Sequence, residues 1–345
     1  MLPSSLLHLP VRFGVFLVAV ISIFCRPSTP PVDSAPSPVR TAPEGTLEDL
    51  TRFPESPEAI ARMVAFLEQG KDQPTGNPFL LNSDGTLKSA PTLRILILDR
   101  LSHHAPQIAR PFLEEVCSRK TDPDEWALSL NHLRLLAHPS HLPGLTQQAV
   151  ELVSNPDWQK NPTAGYLEAF DFLAISSALE AFETVATIHA DPDPDPATQW
   201  AAFLALDRMT SRQPERFLPA LAKRKLQLPG EITAGLLAKS DVRRPAHLAF
   251  LEAYLSRTDH APGELETFSK LFPLHHQHVR ASFQPQSPDE RRNLQAAWRI
   301  DRATLTQLDD WQASRCFTPN VAAALANTSK RLKGWLALNN HSAPR

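Results

Sequence analysis

The chain has 345 residues, with 35 Lys and Arg against 37 Asp and Glu and a formal net charge of −2, which excludes the one-signed charge footprint of a general nucleic-acid binder. Apolar residues make up 42% and charged residues 21%, ordinary globular proportions that exclude wholesale disorder and supply a sizeable core. Proline at 33 runs at about twice average usage and glycine at 11 at less than half; so little glycine argues against phosphate-cradling loops and many tight-turned strands, leaving helices.

An apolar segment opens the chain. From Phe13 to Cys25 it runs FGVFLVAVISIFC, without a charge, between Arg12 and Arg26. That length suits the core of a secretory signal; a full span takes about 20 residues, reached if Leu6 to Pro10 extend it and Arg12 snorkels. No clean small-x-small cleavage site follows, and Phe24 is too bulky to precede a lipid-modified Cys25. Residues 1–25 are therefore expected to be a signal peptide or signal-anchor helix, touching membrane through residues 11–25 if uncleaved. The body would then stand outside the cytoplasm on one N-terminal helix, or be secreted or periplasmic after cleavage. Residues 26–45 are Pro-rich, with only Val32 and Val39 as large apolar side chains. They predict an extended, semi-rigid linker.

Residues 46–345 read as one all-α domain. Prolines fall repeatedly behind a capping residue, at Ser56-Pro57, Asp122-Pro123, Asn161-Pro162, Asp195-Pro196, Ser287-Pro288 and Thr318-Pro319. Each predicts a helix start, because proline at the first helical position loses no hydrogen bond and the residue before it caps free N–H groups. Asp122 with Glu125, and Ser287 with Glu290, add capping-box spacing. Residues 77–88 predict a small loop or hairpin around Asp84-Gly85. Apolar steps of three and four, as at Trp126, Leu130, Leu133 and Ala137, then predict helical hairpins over 91–120, 123–154, 162–190, 196–225 and 229–258.

The leading prolines, Pro91, Pro123, Pro162, Pro196 and Pro229, are spaced 32, 39, 34 and 33 residues apart, and the position four after each is Ile95, Ala127, Tyr166, Trp200 and Thr233. LDRL at 98–101 and LDRM at 206–209 echo each other, with both Asp-Arg pairs toward the ends of first helices. A helical-hairpin period of this size resembles the HEAT and armadillo-like α-solenoids, over roughly residues 89–258. The resemblance implies an α-solenoid behind the N-terminal hydrophobic helix, with less regular helical caps over 46–88 and 262–345. It also implies a concave row of inner-helix side chains that holds a protein or peptide partner.

Candidate chemistry is sparse. His103 and His104 end a first helix, where the dipole favours a cation. Asp191, Asp193 and Asp195 alternate, but without the central Gly and terminal Glu of an EF-hand loop they read as an acidic loop ending in a cap. Cys117 and Cys316, if helical, are two small buried hydrophobes. No metal site is assigned: His275, His276 and His278 are the candidates the spacing offers, His275 and His278 sharing a helix face, against a solvated His-rich turn. With no nucleophile elbow, Cys-His signature or phosphate loop, no catalytic residue and no cofactor is assigned. The last helix, NTSKRLKGWLALNN, is expected to cover the final hairpin with Trp335 and show Lys330, Arg331 and Lys333 to water. The function expected is a non-catalytic protein- or peptide-binding scaffold of the cell envelope. The alternatives are an envelope-associated metal-dependent enzyme and a structural spacer without a saturable partner.

Overall fold

The computed structural model describes residues 56–82, 85–176, 178–222, 228–274 and 294–339. The N-terminal segment, the Pro-rich linker and His275, His276 and His278 all lie outside them. The described chain is all-α apart from one short antiparallel hairpin, and none of its helices is long and apolar enough to cross a membrane. It divides into two compact units, one holding residues 56–82, 86–136 and 162–166, the other residues 137–161 and 167–339.

In the first unit, α1 (Pro57–Glu68) starts where Ser56 accepts a hydrogen bond from the Ala59 amide at 3.1 Å, and it buries the stripe Ala59, Met63 and Leu67. Strands β1 (Leu80–Leu81) and β2 (Leu87–Ser89) pair as the expected hairpin. Helix α2 (Leu93–His104) is buried on nearly every side, with Leu93, Ile95, Ile97, Leu98 and Leu101 inside together with Arg94 and Asp99. Helix α3 (Pro106–Arg119) instead buries one face through Ala109, Leu113, Val116 and Cys117. Helix α4 (Pro123–Leu136) is enclosed again. Central helices are thus buried on most sides, polar residues included, and outer ones along one stripe, the difference expected from how many neighbours each meets.

The α4 start shows the predicted cap, Asp122 Oδ1 accepting from the Asp124 and Glu125 amides at 2.9 and 2.8 Å. The capping box is only half made, because the Glu125 carboxylate turns to Arg94 Nε on α2 at 3.0 Å instead of back to Asp122. Nor does Asn161 cap the next helix: α7 (Ala164–Ser176) begins later, and Thr163 Oγ1 accepts from the Tyr166 amide at 3.3 Å.

The second unit carries α5 (Leu142–Val153), the short α6 (Pro156–Lys160), most of α7, α8 (Leu179–Ala190), α9 (Pro196–Arg212) and α10 (Pro214–Ala222). It continues through α11 (Gly230–Leu237), α12 (Pro245–Leu255), α13 (Glu264–Leu271), α14 (Leu294–Ser314) and α15 (Pro319–Asn339). Here α9 is enclosed, while α10 presents only Phe217, Leu218, Leu221 and Ala222 to the core. Residues 294–314 and 319–339 form two regular 21-residue helices, more regular than expected of a cap.

Two further expectations are corrected here. Trp335 is 47% exposed, and the buried face of α15 is made by Val321, Ala324, Leu325, Leu332 and Leu336; Lys330, Arg331 and Lys333 are exposed as expected, although the Arg331 guanidinium also donates to the Ser269 and Phe272 carbonyls at the end of α13. Those carbonyls have no partner within their helix, so a cation there satisfies and neutralises the helix terminus. Cys117 is buried as expected, but Cys316 is exposed, because it falls in the connection between α14 and α15 and on neither helix.

Candidate metal centre

The Leu-Asp-Arg of residues 98–100 lies in the last half of α2. Because α2 is enclosed on most sides, Asp99 is wholly out of water, as Leu98 is. A carboxylate there is costly unless its lone pairs are filled. Asp99 Oδ2 accepts from the Leu87 amide of β2 at 3.1 Å, and Oδ1 meets His132 Nε2 of α4 at 3.1 Å. One turn on, His103 sets its Nδ1 2.9 Å from the Asp99 carbonyl oxygen and 3.4 Å from Oδ1. The two imidazoles stand edge to face, centroids 4.9 Å apart at 90°. One ligand atom from each of Asp99, His103 and His132 therefore falls within 4.8 Å of the other two. The side chains of Asp99 and His132 are buried, while that of His103 is 34% exposed, so the cluster opens to water on one side.

The echoing Leu-Asp-Arg of residues 206–208 builds a related cluster in the second unit. Asp207 is buried and takes the ammonium of Lys239, in the turn just past the end of α11. The same Lys239 Nζ donates to the Asp207 carbonyl at 3.1 Å and to Ser211 Oγ, one turn along α9. Burial lowers the Lys239 pKa and the Asp207 carboxylate opposes it. Arg208, adjacent to Asp207, pairs in the other direction with Asp171 of α7. Arg100, adjacent to Asp99, likewise reaches back, donating to the Leu87 carbonyl at 3.1 Å. The correspondence extends past the charges: Pro106 and Pro111 follow the first motif as Pro214 and Pro219 follow the second, all four in α3 or α10.

Other buried titratable groups are structural. Burial pushes the Asp124 carboxyl up to about 6, against the Thr163 hydroxyl and the Tyr166 amide, which hold it down. Glu264 is raised by burial but held low overall by His260 and the Ala261 amide, with Arg257 assisting. Asp195 caps α9 by accepting from the Ala197 amide at 2.8 Å, and Asp191 accepts from the Asp193 amide, so the alternating aspartates form loop turns.

Of the histidines named from sequence that the structure describes, His103 joins this cluster and His104 does not. The His103 partner Asp99 stands out in the sequence as part of the Leu-Asp-Arg echo, not as a ligand, and His132 does not stand out at all. The local signal was an Asp four residues before a His on one helix, an arrangement that places both on one face. Comparison with protein-family models, with curated proteins and with solved structures finds no match to this chain.

Proposed function

We propose that this protein is a non-catalytic helical-repeat scaffold of HEAT-like type that binds a protein or peptide outside the cytoplasm, carried there by its N-terminal hydrophobic segment. The observation that carries this reading is the recurrence of buried acid–base links between first helices of successive hairpins. They run from Asp99 to His132 in the first unit, and from Asp171 to Arg208 and Asp207 to Lys239 in the second. Each link runs from a first helix to the first helix of the next hairpin or, at Lys239, to the turn that ends it; such nearest-neighbour interfaces are what stacked repeats depend on, and stacked repeats offer extended surfaces to partners.

One exposed aromatic favours binding over a passive spacer. At the fourth position after the leading proline, Ile95, Ala127, Tyr166 and Thr233 are buried, whereas Trp200 is 43% exposed and stacks on Phe203 with centroids 5.2 Å apart. Surface tryptophans of this kind dominate binding energies where they are buried by a partner. The test places a photo-crosslinker at Trp200 of the full chain in its native cells and measures binding of the captured protein to purified chain. Saturable binding that Trp200→Ala weakens by roughly tenfold or more is expected, since a central aromatic contact is worth upwards of about 2 kcal/mol. Binding that is absent, or unaffected by that substitution, overturns the assignment of this surface.

A further inference from the structure

The geometry points to a divalent transition-metal site, of the zinc class, formed by Asp99, His103 and His132. Two imidazoles and a carboxylate are the donor set suited to zinc, copper, iron or nickel and poorly suited to magnesium or calcium. Around a tetrahedral ion with bonds of about 2.1 Å, ligand atoms stand about 3.4 Å apart. The separations from Asp99 Oδ1 are 3.1 Å to His132 Nε2 and 3.4 Å to His103 Nδ1, so two edges of that tetrahedron already exist. The third, between the imidazoles, is at most 4.8 Å; binding turns His103, the exposed member, so that Nδ1 gives up its proton and its 2.9 Å hydrogen bond to the Asp99 carbonyl in favour of the ion. Asp99 is oriented from behind by the Leu87 amide, as a supporting hydrogen bond orients a ligating carboxylate. Three protein ligands leave a fourth position, which opens toward water beside His103.

The second unit holds a cation at the corresponding place. In the second unit, Lys239 Nζ sits among Asp207 Oδ1, the Asp207 carbonyl and Ser211 Oγ. Asp207 corresponds to Asp99 and Ser211 to His103 within the echoed motif, and Lys239 follows Asp207 by 32 residues where His132 follows Asp99 by 33. The second cluster thus brings its own positive charge on a side chain. The first has the carboxylate and two imidazoles in place of that ammonium, and a metal ion held by all three would tie α2 to α4.

The test uses the full chain, purified in detergent, stripped with a chelator and titrated with Co²⁺ as a spectroscopic stand-in for zinc. One equivalent is expected to give the absorption of a low-coordinate Co²⁺ site, which Zn²⁺ bleaches. His103→Ala, at the exposed edge, should lower the affinity by at least about tenfold, since losing even an outer-shell partner costs 10- to 100-fold. His132→Lys, which installs the ammonium that the second unit carries, should abolish binding with the helical circular dichroism unchanged. Replacing His275, His276 and His278 together by Ala should leave the titration as it was. The inference is overturned if no equivalent of Co²⁺ binds, if binding survives in the folded His103→Ala and His132→Lys variants, or if the triple replacement removes it. Because no partner enters the titration, failure of the scaffold reading would leave its outcome unaffected.

Discussion

Asp207 and Arg208 are neighbours in the chain whose charges are committed in opposite directions, Asp207 to Lys239 just past the end of α11 and Arg208 to Asp171 on α7. Successive residues on a helix are turned by about 100°, so one dipeptide can serve both neighbouring helices. Both links are buried, and burial pulls the Arg208 guanidinium down to about 10. Removing one partner strands the other charge. Lys239→Met is therefore expected to cost about 3–5 kcal/mol, whereas Asp207→Leu together with Lys239→Met should return stability to within about 2 kcal/mol of the parent. Denaturant unfolding of the single and double variants gives the comparison, and a double variant no better than the single would refute the stranded-charge account.

Helix starts were legible in the sequence because their signal is local. Ser56, Asp195 and Thr318 each cap the helix whose proline follows them, accepting from Ala59, Ala197 and Val321. Asn161 fails for an equally local reason, since Thr163 supplies the cap two residues on. The candidate site was legible only in part. The Leu-Asp-Arg echo stands in the sequence, but the side of the helix on which each charge finds its partner depends on which helices pack alongside. His103 read alone is a helix-terminal cation; it becomes a ligand candidate only when α4 delivers His132 to Asp99. Exposure of Trp335 was hidden for the same reason, because burial belongs to neighbours that periodicity does not name.

Gly165 is required by the close approach of α4. A Cβ there would meet Asp124 Oδ1 at 2.5 Å and the Asp124 Cα at 2.8 Å, and the backbone contact cannot swing away. Gly165→Ala is expected to destabilise by about 1–3 kcal/mol, the usual cost of overpacking. Gly334, inside α15 with nothing within 4 Å of its would-be Cβ, predicts the opposite: Gly334→Ala should stabilise by up to about 1 kcal/mol through helix propensity. Thermal melts of the two variants should move in opposite directions, and a shared direction would contradict one of the two environments.

The described cysteines should differ sharply toward a thiol reagent. Cys117 is 4% exposed, and burial, with Glu114 adding to it and Lys120 opposing, pushes its thiol up to about 12. Cys316 is exposed. Since the thiolate is the reactive form, maleimide should modify Cys316 in the folded chain and Cys117 only after denaturant is added. Peptide mass spectrometry of a Cys25→Ser background reads the order directly, and early modification of Cys117 would mean that α3 opens in the native state.

Asp124 should give the fold a pH dependence of unusual sign. Its carboxyl is raised from 3.8 to about 6 in the folded chain, mainly by burial, so the folded state holds the proton more tightly than the unfolded one. The stabilising contribution of that proton is complete below about 4 and is lost as pH rises through 6. At about 1.4 kcal/mol per unit, the loss amounts to on the order of 3 kcal/mol between those limits. Asp124→Asn keeps an acceptor for the Thr163 hydroxyl and the Tyr166 amide but cannot ionise. The difference in unfolding free energy between parent and variant, measured by urea denaturation from pH 4 to pH 7, should therefore move steadily against the parent as pH rises. A difference independent of pH would place the Asp124 carboxylate in a far better solvated or better paired setting than its burial against Thr163 and Gly165 allows.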